Sequence, residues 1–356
     1  MGTIKRTFAN SLTGTGKLSA TNLDSNIPAA NIEDASVTNV TTLPEALGQA
    51  IKSVAGSPPS QAVGDVWYNT ITGTLKNYGL TAAAWSSGGN MGTARASGTG
   101  TGTQTAALGF GAYAAPEFVL TEEYNGSTWS PGGNLNTGRK YLAGAGTQTA
   151  GLAFGGGTPA NTNATEEYDG STWTAGGNLG TSRASLAGCG LQTAGLAFGG
   201  NNPSPDTNAT EEYNGTSWTA GGNLNTARRF LAGAGTLTAG LAFAGTVPTG
   251  ETEEYDGSSW TSGGTMNTAR QELAGAGIQT AALAIAGGPP NTNATEEYDG
   301  STWTTSPATL ATARRGLGGA GTQTAGLAFM GFVPPNTAAT EEYTGAFNAI
   351  KTVTTS

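Results

Sequence analysis

Six tryptophans, Trp85, Trp129, Trp173, Trp218, Trp260 and Trp303, punctuate the chain at intervals of 44, 44, 45, 42 and 43 residues. An arginine follows each of them ten or eleven positions later: Arg95, Arg139, Arg183, Arg228, Arg270 and Arg314. Between each arginine and the next tryptophan one phrase recurs, read in the third unit as RASLAGCGLQTAGLAFGG, then NNPSPDTNA, then TEEYNGTSW. A stacked repeat needs one large packing anchor per unit, and a flexible linker does not. The regular aromatics therefore outweigh the 58 glycines, which taken alone would point to disorder.

Each unit holds four strand-sized pieces: LAGAG with its flanks, TAGLAFGG, TEEY and the Trp segment, separated by glycine-containing turns. Four antiparallel strands in 42 to 45 residues make one propeller blade, which must stack on its neighbours to bury both faces. Small residues on the first two strands suit a narrow central channel. Tyr and Trp on the outer two fill the widening wedge between blades, each burial being worth about 2–3 kcal/mol. The YDGSTW and YNGTSW turns predict a tight hairpin with Asp-Gly or Asn-Gly at its tip, two residues that both tolerate positive φ. Since the repeats open on the Trp85 strand and finish on the Tyr343 strand, the N-terminal strand is expected to complete the last blade. That gives six blades and leaves TLKNY over. A ring of seven needs GDVWYNTITGTLKNYG to supply a hairpin and Phe347 to replace a seventh Trp.

A double glycine closing the second strand (Gly155-Gly156, Gly199-Gly200, Gly287-Gly288), then Tyr and Trp, then Arg, resembles the kelch repeat over residues 80–345. The Tyr-to-Trp spacing is shorter than is usual for kelch, and the double glycine is eroded in the first, fourth and sixth units. The fold class expected is all-β: a kelch-like β-propeller with a small extended or helical N-terminal attachment segment. The expected division is 1–64 for attachment and oligomerisation, 65–79 for a hairpin connector, 80–345 for the propeller and 346–356 for a tail. Within the first segment TLPEALGQAIKSVAG predicts a short helix from Thr42 to Gly56, with Leu43, Leu47, Ile51 and Val54 as its apolar stripe. The phrases NIPAANIEDASVTN and GDVWYNTITGTLKNY resemble the N-terminal parts of tail-fibre and other virion proteins of tailed bacteriophages, particularly those of marine bacteria. That resemblance implies a virion location, docking of the N-terminus on other virion subunits and an outward-facing propeller; homo-oligomerisation stays open.

A net charge of −9 and a pI near 4.6 remove the attraction that drives non-specific nucleic-acid binding. No run of eighteen apolar residues and no basic-plus-apolar leader is visible, so neither membrane insertion nor a Sec-type signal is expected. With no His, a Ser-His-Asp triad, a His-paired thiol and a His-ligated zinc site are unavailable, and the copper ligands of kelch-like oxidases are missing. The sole cysteine, Cys189, stands where other units have Ala145, Ala234 or Ala276 and reads as core filler. The recurring Glu-Glu pairs point to opposite strand faces, which disfavours paired-carboxylate catalysis. A sialidase-like hydrolase, suggested by the Asp turn before Trp and by an arginine cluster, is the remote alternative; one arginine per blade fits a scaffold residue paired with a Glu or loop carbonyls. No catalytic residue, metal or cofactor is therefore expected.

Comparing the units isolates one variable face. The turns TGTQTA, AGTQTA, YDGST and YNGTS repeat with little change. On the opposite face the loops after the second strand vary (GAYAAPEFVL, GTPANTNA, NNPSPDTNA, TVPTGE, PPNTNA, VPPNTAA), as do the two residues after each arginine. Loops held by a rigid scaffold are where propellers usually bind. The predicted patch uses Tyr113, Phe118, Tyr141 and Phe230 as aromatic platforms and Lys140, Arg229 and Arg315 as polar contacts, a combination suited to a bacterial surface glycan or protein. The competing expectation is a structural virion decoration or adaptor whose propeller packs on neighbouring subunits.

Overall fold

The computed structural model describes residues 52–113, 119–157, 159–202, 204–246 and 250–352. Among the described residues no α-helix forms, and 28 strands build seven four-stranded sheets. Contacts group the chain into two compact units, Ala82–Gly345 on one hand and Met1–Thr81 with Ala346–Ser356 on the other.

The third repeat shows how a sheet is made. Its strands β13 (Ala187–Leu191), β14 (Ala194–Phe198), β15 (Thr210–Tyr213) and β16 (Trp218–Ala220) pair consecutively and antiparallel. Glycine and alanine place Ala187 against Phe198 and Cys189 against Leu196, and the outer pair sets Tyr213 beside Trp218. The innermost strands of the unit Ala82–Gly345 are β5 (Thr99–Thr103), β9 (Ala143–Gly146), β13, β17 (Ala232–Thr236), β21 (Ala274–Ile278) and β25 (Gly318–Gly321). Each lies beside the next in that order, and β25 returns to β5, so the cycle closes as in a β-propeller. The last sheet is completed from the other end of the chain: β4 (Ala84–Ser87) pairs with β27 (Thr340–Thr344), with Trp85 opposite Tyr343.

Four-stranded sheets thus number seven rather than the six that the tryptophans mark. The hairpin of β2 (Val66–Asn69) and β3 (Thr74–Thr81) joins β28 (Phe347–Thr352) and β1 (Lys52–Val54) in a seventh sheet, in the order β1-β2-β3-β28. It belongs to the unit outside the cycle. TLKNY is not spare and the residues from Phe347 are not a loose tail, because Phe347–Thr352 pairs along β3 from Thr81 to Lys76. The expected helix is corrected where it can be followed: Lys52–Val54 is a strand, parallel to Trp67–Asn69. Ala55 and Gly56 bend away from it, and residues 42–51 of that prediction lie outside the described residues.

One set of contacts stitches each sheet to the one before it. The Tyr213 hydroxyl donates to Glu167 Oε1 at 2.5 Å, and Trp218 Nε1 donates to Thr165 Oγ1 at 2.9 Å. The Trp218 ring packs on Phe154, also of the preceding sheet, with centroids 4.9 Å apart. The pattern recurs round the cycle, ending with Tyr124 on Glu342 and Trp129 on Thr340, which join the first sheet to the last. Five units add a glutamine clamp, such as Gln192 Nε2 donating to the carbonyls of Gly151 and Tyr168; the fourth has Leu237 instead, packed into the apolar core. Burial beside a carboxylate pushes the phenols of Tyr124, Tyr168, Tyr213, Tyr255 and Tyr298 up to about 12.

Two local expectations are corrected. In the outer hairpins only the glycine takes positive φ; the preceding Asp acts through its side chain, Asp169 Oδ1 accepting from the Ser171 and Thr172 amides at 2.8 and 2.7 Å. In the fifth unit the residues equivalent to the double glycine are Ala286-Gly287, both at positive φ, so the pair Gly287-Gly288 is one residue out of register.

Candidate functional site

The six repeat arginines are buried, each against the first carboxylate of its own TEEY strand. Arg95–Glu122 lies at 2.7 Å, Arg139–Glu166 at 2.8 Å, Arg183–Glu211 and Arg228–Glu253 at 3.0 Å and Arg314–Glu341 at 3.1 Å, with Arg270 paired likewise to Glu296. Burial pulls the Arg183 guanidinium pKa down, and Glu211 opposes the shift. The second carboxylate points the other way and accepts the Tyr hydroxyl of the following sheet. The Glu-Glu pair is thereby divided between an intra-sheet and an inter-sheet bond.

The two residues after each arginine follow a different logic. The first is fixed within its sheet by a bridge to the residue just beyond the second strand: Lys140 with Gly157, Ala184 with Asn201, Gln271 with Gly288, Arg315 with Phe332. The second stands in the left-handed region in every unit: Ser97 at φ 61°, Tyr141 at 55°, Ser185 at 56°, Phe230 at 55°, Glu272 at 53° and Gly316 at 59°. This conformation turns their peptides toward one another. The amide of Tyr141 donates to the Ser97 carbonyl, Ser185 to Tyr141, Phe230 to Ser185, Glu272 to Phe230, Gly316 to Glu272 and Ser97 to Gly316, all at 2.8–2.9 Å. A closed ring of six backbone hydrogen bonds therefore surrounds one mouth of a central cavity of about 130 Å³ lined by every inner strand.

With ring amides and carbonyls committed to each other, chemistry at the mouth is left to side chains. Tyr141 meets Tyr113 edge-on at 6.2 Å and Phe230 edge-on at 5.3 Å. Lys140 Nζ sits 3.9 Å above the Tyr113 ring and 5.5 Å from that of Tyr141. Arg229 lies 5.5 Å from the Phe230 ring and pairs with Asp206 at 3.2 Å. Arg315 lies 5.1 Å from Phe332 and pairs with Glu272 at 3.2 Å. Burial pushes the Tyr141 phenol pKa up, with a Ser97 hydrogen bond opposing and the Glu272 charge adding. Burial also raises the Glu272 pKa, against the pull of Arg315.

Six of the seven predicted patch residues, Tyr113, Lys140, Tyr141, Arg229, Phe230 and Arg315, thus fall on this mouth and its rim. Phe118 lies outside the described residues. Ser97 and Glu272 belong to the variable pairs after the arginines and Asp206 to the variable loop NNPSPDTNA, yet none of the three is in the predicted patch; Phe332 is not singled out at all. Their variability is the available signal; the pairing of Asp206 with Arg229 and the place of Phe332 under Arg315 follow only from the geometry. The predicted packing residue Cys189 is buried, its thiol pushed up to about 12. Among the described residues no cluster of three His, Cys, Asp or Glu is placed to hold a metal ion, and no helix is long and apolar enough to cross a membrane. No protein-family model matches the chain, and no curated protein matches it.

Proposed function

We propose that the chain is a non-catalytic binding protein of a tailed-bacteriophage virion, a kelch-like propeller of six blades that presents its channel mouth to bacterial surface glycan. One observation carries the binding half of this reading. Gly316 makes both ring hydrogen bonds with no side chain, yet the other five ring positions hold Ser, Tyr, Ser, Phe and Glu in a backbone conformation that costs a non-glycine residue about 1 kcal/mol or more. Strain that the backbone does not require is expected where the side chain has work to do. Aromatic rings beside a few polar groups suit the alternating apolar and hydroxyl faces of a sugar chain.

The virion half rests on the N-terminal resemblance. The sheet β1-β2-β3-β28 exposes Leu80 and Ile350 on one face, apolar side chains that packing against other virion subunits would cover. The non-catalytic reading is supported by the repeat arginines, each of which is engaged with its own Glu. The test is binding of the full-length protein to intact candidate host cells, alongside the Tyr141→Ala/Phe230→Ala double variant. Saturable binding lost in a folded variant is the result expected. Binding retained by the variant removes the mouth as the receptor surface; no binding to any susceptible host moves the weight to a structural decoration.

A further inference from the structure

Cationic residues occupy the position directly after the buried arginine in alternate units only: Lys140, Arg229 and Arg315 in the second, fourth and sixth, against Ala96, Ala184 and Gln271 in the others. Each cation lies over an aromatic ring of the same rim, at 3.9 Å for Lys140 on Tyr113, 5.5 Å for Arg229 on Phe230 and 5.1 Å for Arg315 on Phe332. The three are not equivalent in charge balance. Arg229 is neutralised by Asp206 and Arg315 by Glu272, both at 3.2 Å. Lys140, half-buried between Tyr113 and Tyr141, has no acidic partner among the described residues. Among the described residues, Lys140 is therefore the one rim cation without an acidic partner, and it is framed by aromatic rings. At Lys140 an anion meets a cation whose orientation is already set by two rings.

Building on the glycan-binding reading above, we infer that the mouth takes an acidic saccharide, with one anionic substituent at the Lys140 ammonium and adjoining sugar rings against Tyr113, Tyr141 and Phe230. Carboxylate and sulfate share the required chemistry: an anion on a sugar ring small enough to reach Nζ while the ring stays over an aromatic face. Tyr113 is the rim residue most open to such a ring, at 51 % exposed.

The experiment uses full-length protein, immobilised and titrated with oligogalacturonate, with its carboxyl-reduced form, with sulfated galactan fragments and with their desulfated form. Binding of one acidic form, weakened about fivefold or more both by removal of its charge and by Lys140→Gln, is the expected result, since a partly exposed ion pair is worth about 1 kcal/mol. Raised salt should weaken the acidic form alone. Which acidic form binds separates carboxylate from sulfate. Equal binding of charged and uncharged forms, indifference to Lys140→Gln, or binding of none of the four overturns the inference. The wider reading is tracked separately through host-cell binding and Tyr141→Ala/Phe230→Ala: cell binding that needs the rings but ignores Lys140→Gln refutes the acidic ligand and leaves the glycan face standing.

Discussion

Replacing Arg183 with Met leaves Glu211 as a buried carboxylate without its counter-ion. Arg183 is fully buried, 3.0 Å from Glu211 Oε1, and also donates to the carbonyl of Ala209 at 2.7 Å. Glu211 keeps only the Gly180 amide at 2.6 Å on its other oxygen. Breaking a buried pair from one side costs about 3–5 kcal/mol, because the remaining charge is neither solvated nor paired. For a unit of this size each kcal/mol moves the melting temperature by about 2–4 °C, so Arg183→Met should lower it by roughly 10 °C. The Arg183→Met/Glu211→Met double variant should recover most of that loss, since an apolar pair of similar volume replaces buried charges at little net cost. Differential scanning calorimetry with urea denaturation on the four proteins of the cycle measures both effects. A single variant within about 1 kcal/mol of the parent would refute the assignment of these arginines to the scaffold and make them available again as ligand contacts.

The inner strands leave no room for a methyl group at Gly275, where a Cβ would lie 2.5 Å from the Gly233 carbonyl oxygen of the neighbouring sheet and 2.9 Å from the Phe243 ring. Gly275→Ala should cost about 1–3 kcal/mol, read from the urea midpoint. Alkaline stability should follow the inter-sheet tyrosines. The folded state holds their protons up to about pH 12, while the unfolded chain loses them near 10, so their contribution is complete below pH 10 and is lost as pH rises through about 12. Absorbance titration at the phenolate band should show these tyrosines ionising late and together with unfolding. Cys189 should be inert to a thiol reagent in the folded protein and react fully in denaturant, as its burial and raised pKa require.

The strand order of each repeat and the ring closure by Trp85 were legible because the signals are local and periodic: two aromatics, an arginine and a glycine turn return at a near-constant interval. The variable face was legible because the units serve as each other's reference. What could not be read from the sequence was non-local. Nothing in TEEY alone tells that its first Glu turns to an arginine of its own sheet and its second to a tyrosine of the next. The seventh sheet joins segments far apart in the chain, pairing Phe347 with Thr81, and no shared motif marks that partnership. The left-handed ring was hidden for a further reason: Tyr, Phe and Glu are residues that local propensity keeps out of positive φ, and only the closed circle of hydrogen bonds holds them there.

Whether the mouth is the binding face is read by side-chain footprinting with hydroxyl radicals, applied to the full-length protein with and without surface polysaccharide from a host to which it binds. Two opposite ends of the ring carry exposed probes. Tyr113 and Phe332 stand at the mouth beside Tyr141 and Phe230, whereas Leu191 and Ile278 are exposed at the last positions of their first strands, beside the turns at the other end. Protection of the four mouth aromatics with no change at Leu191 and Ile278 is the result expected. Protection of Leu191 and Ile278 with the mouth aromatics unchanged would contradict binding at the mouth.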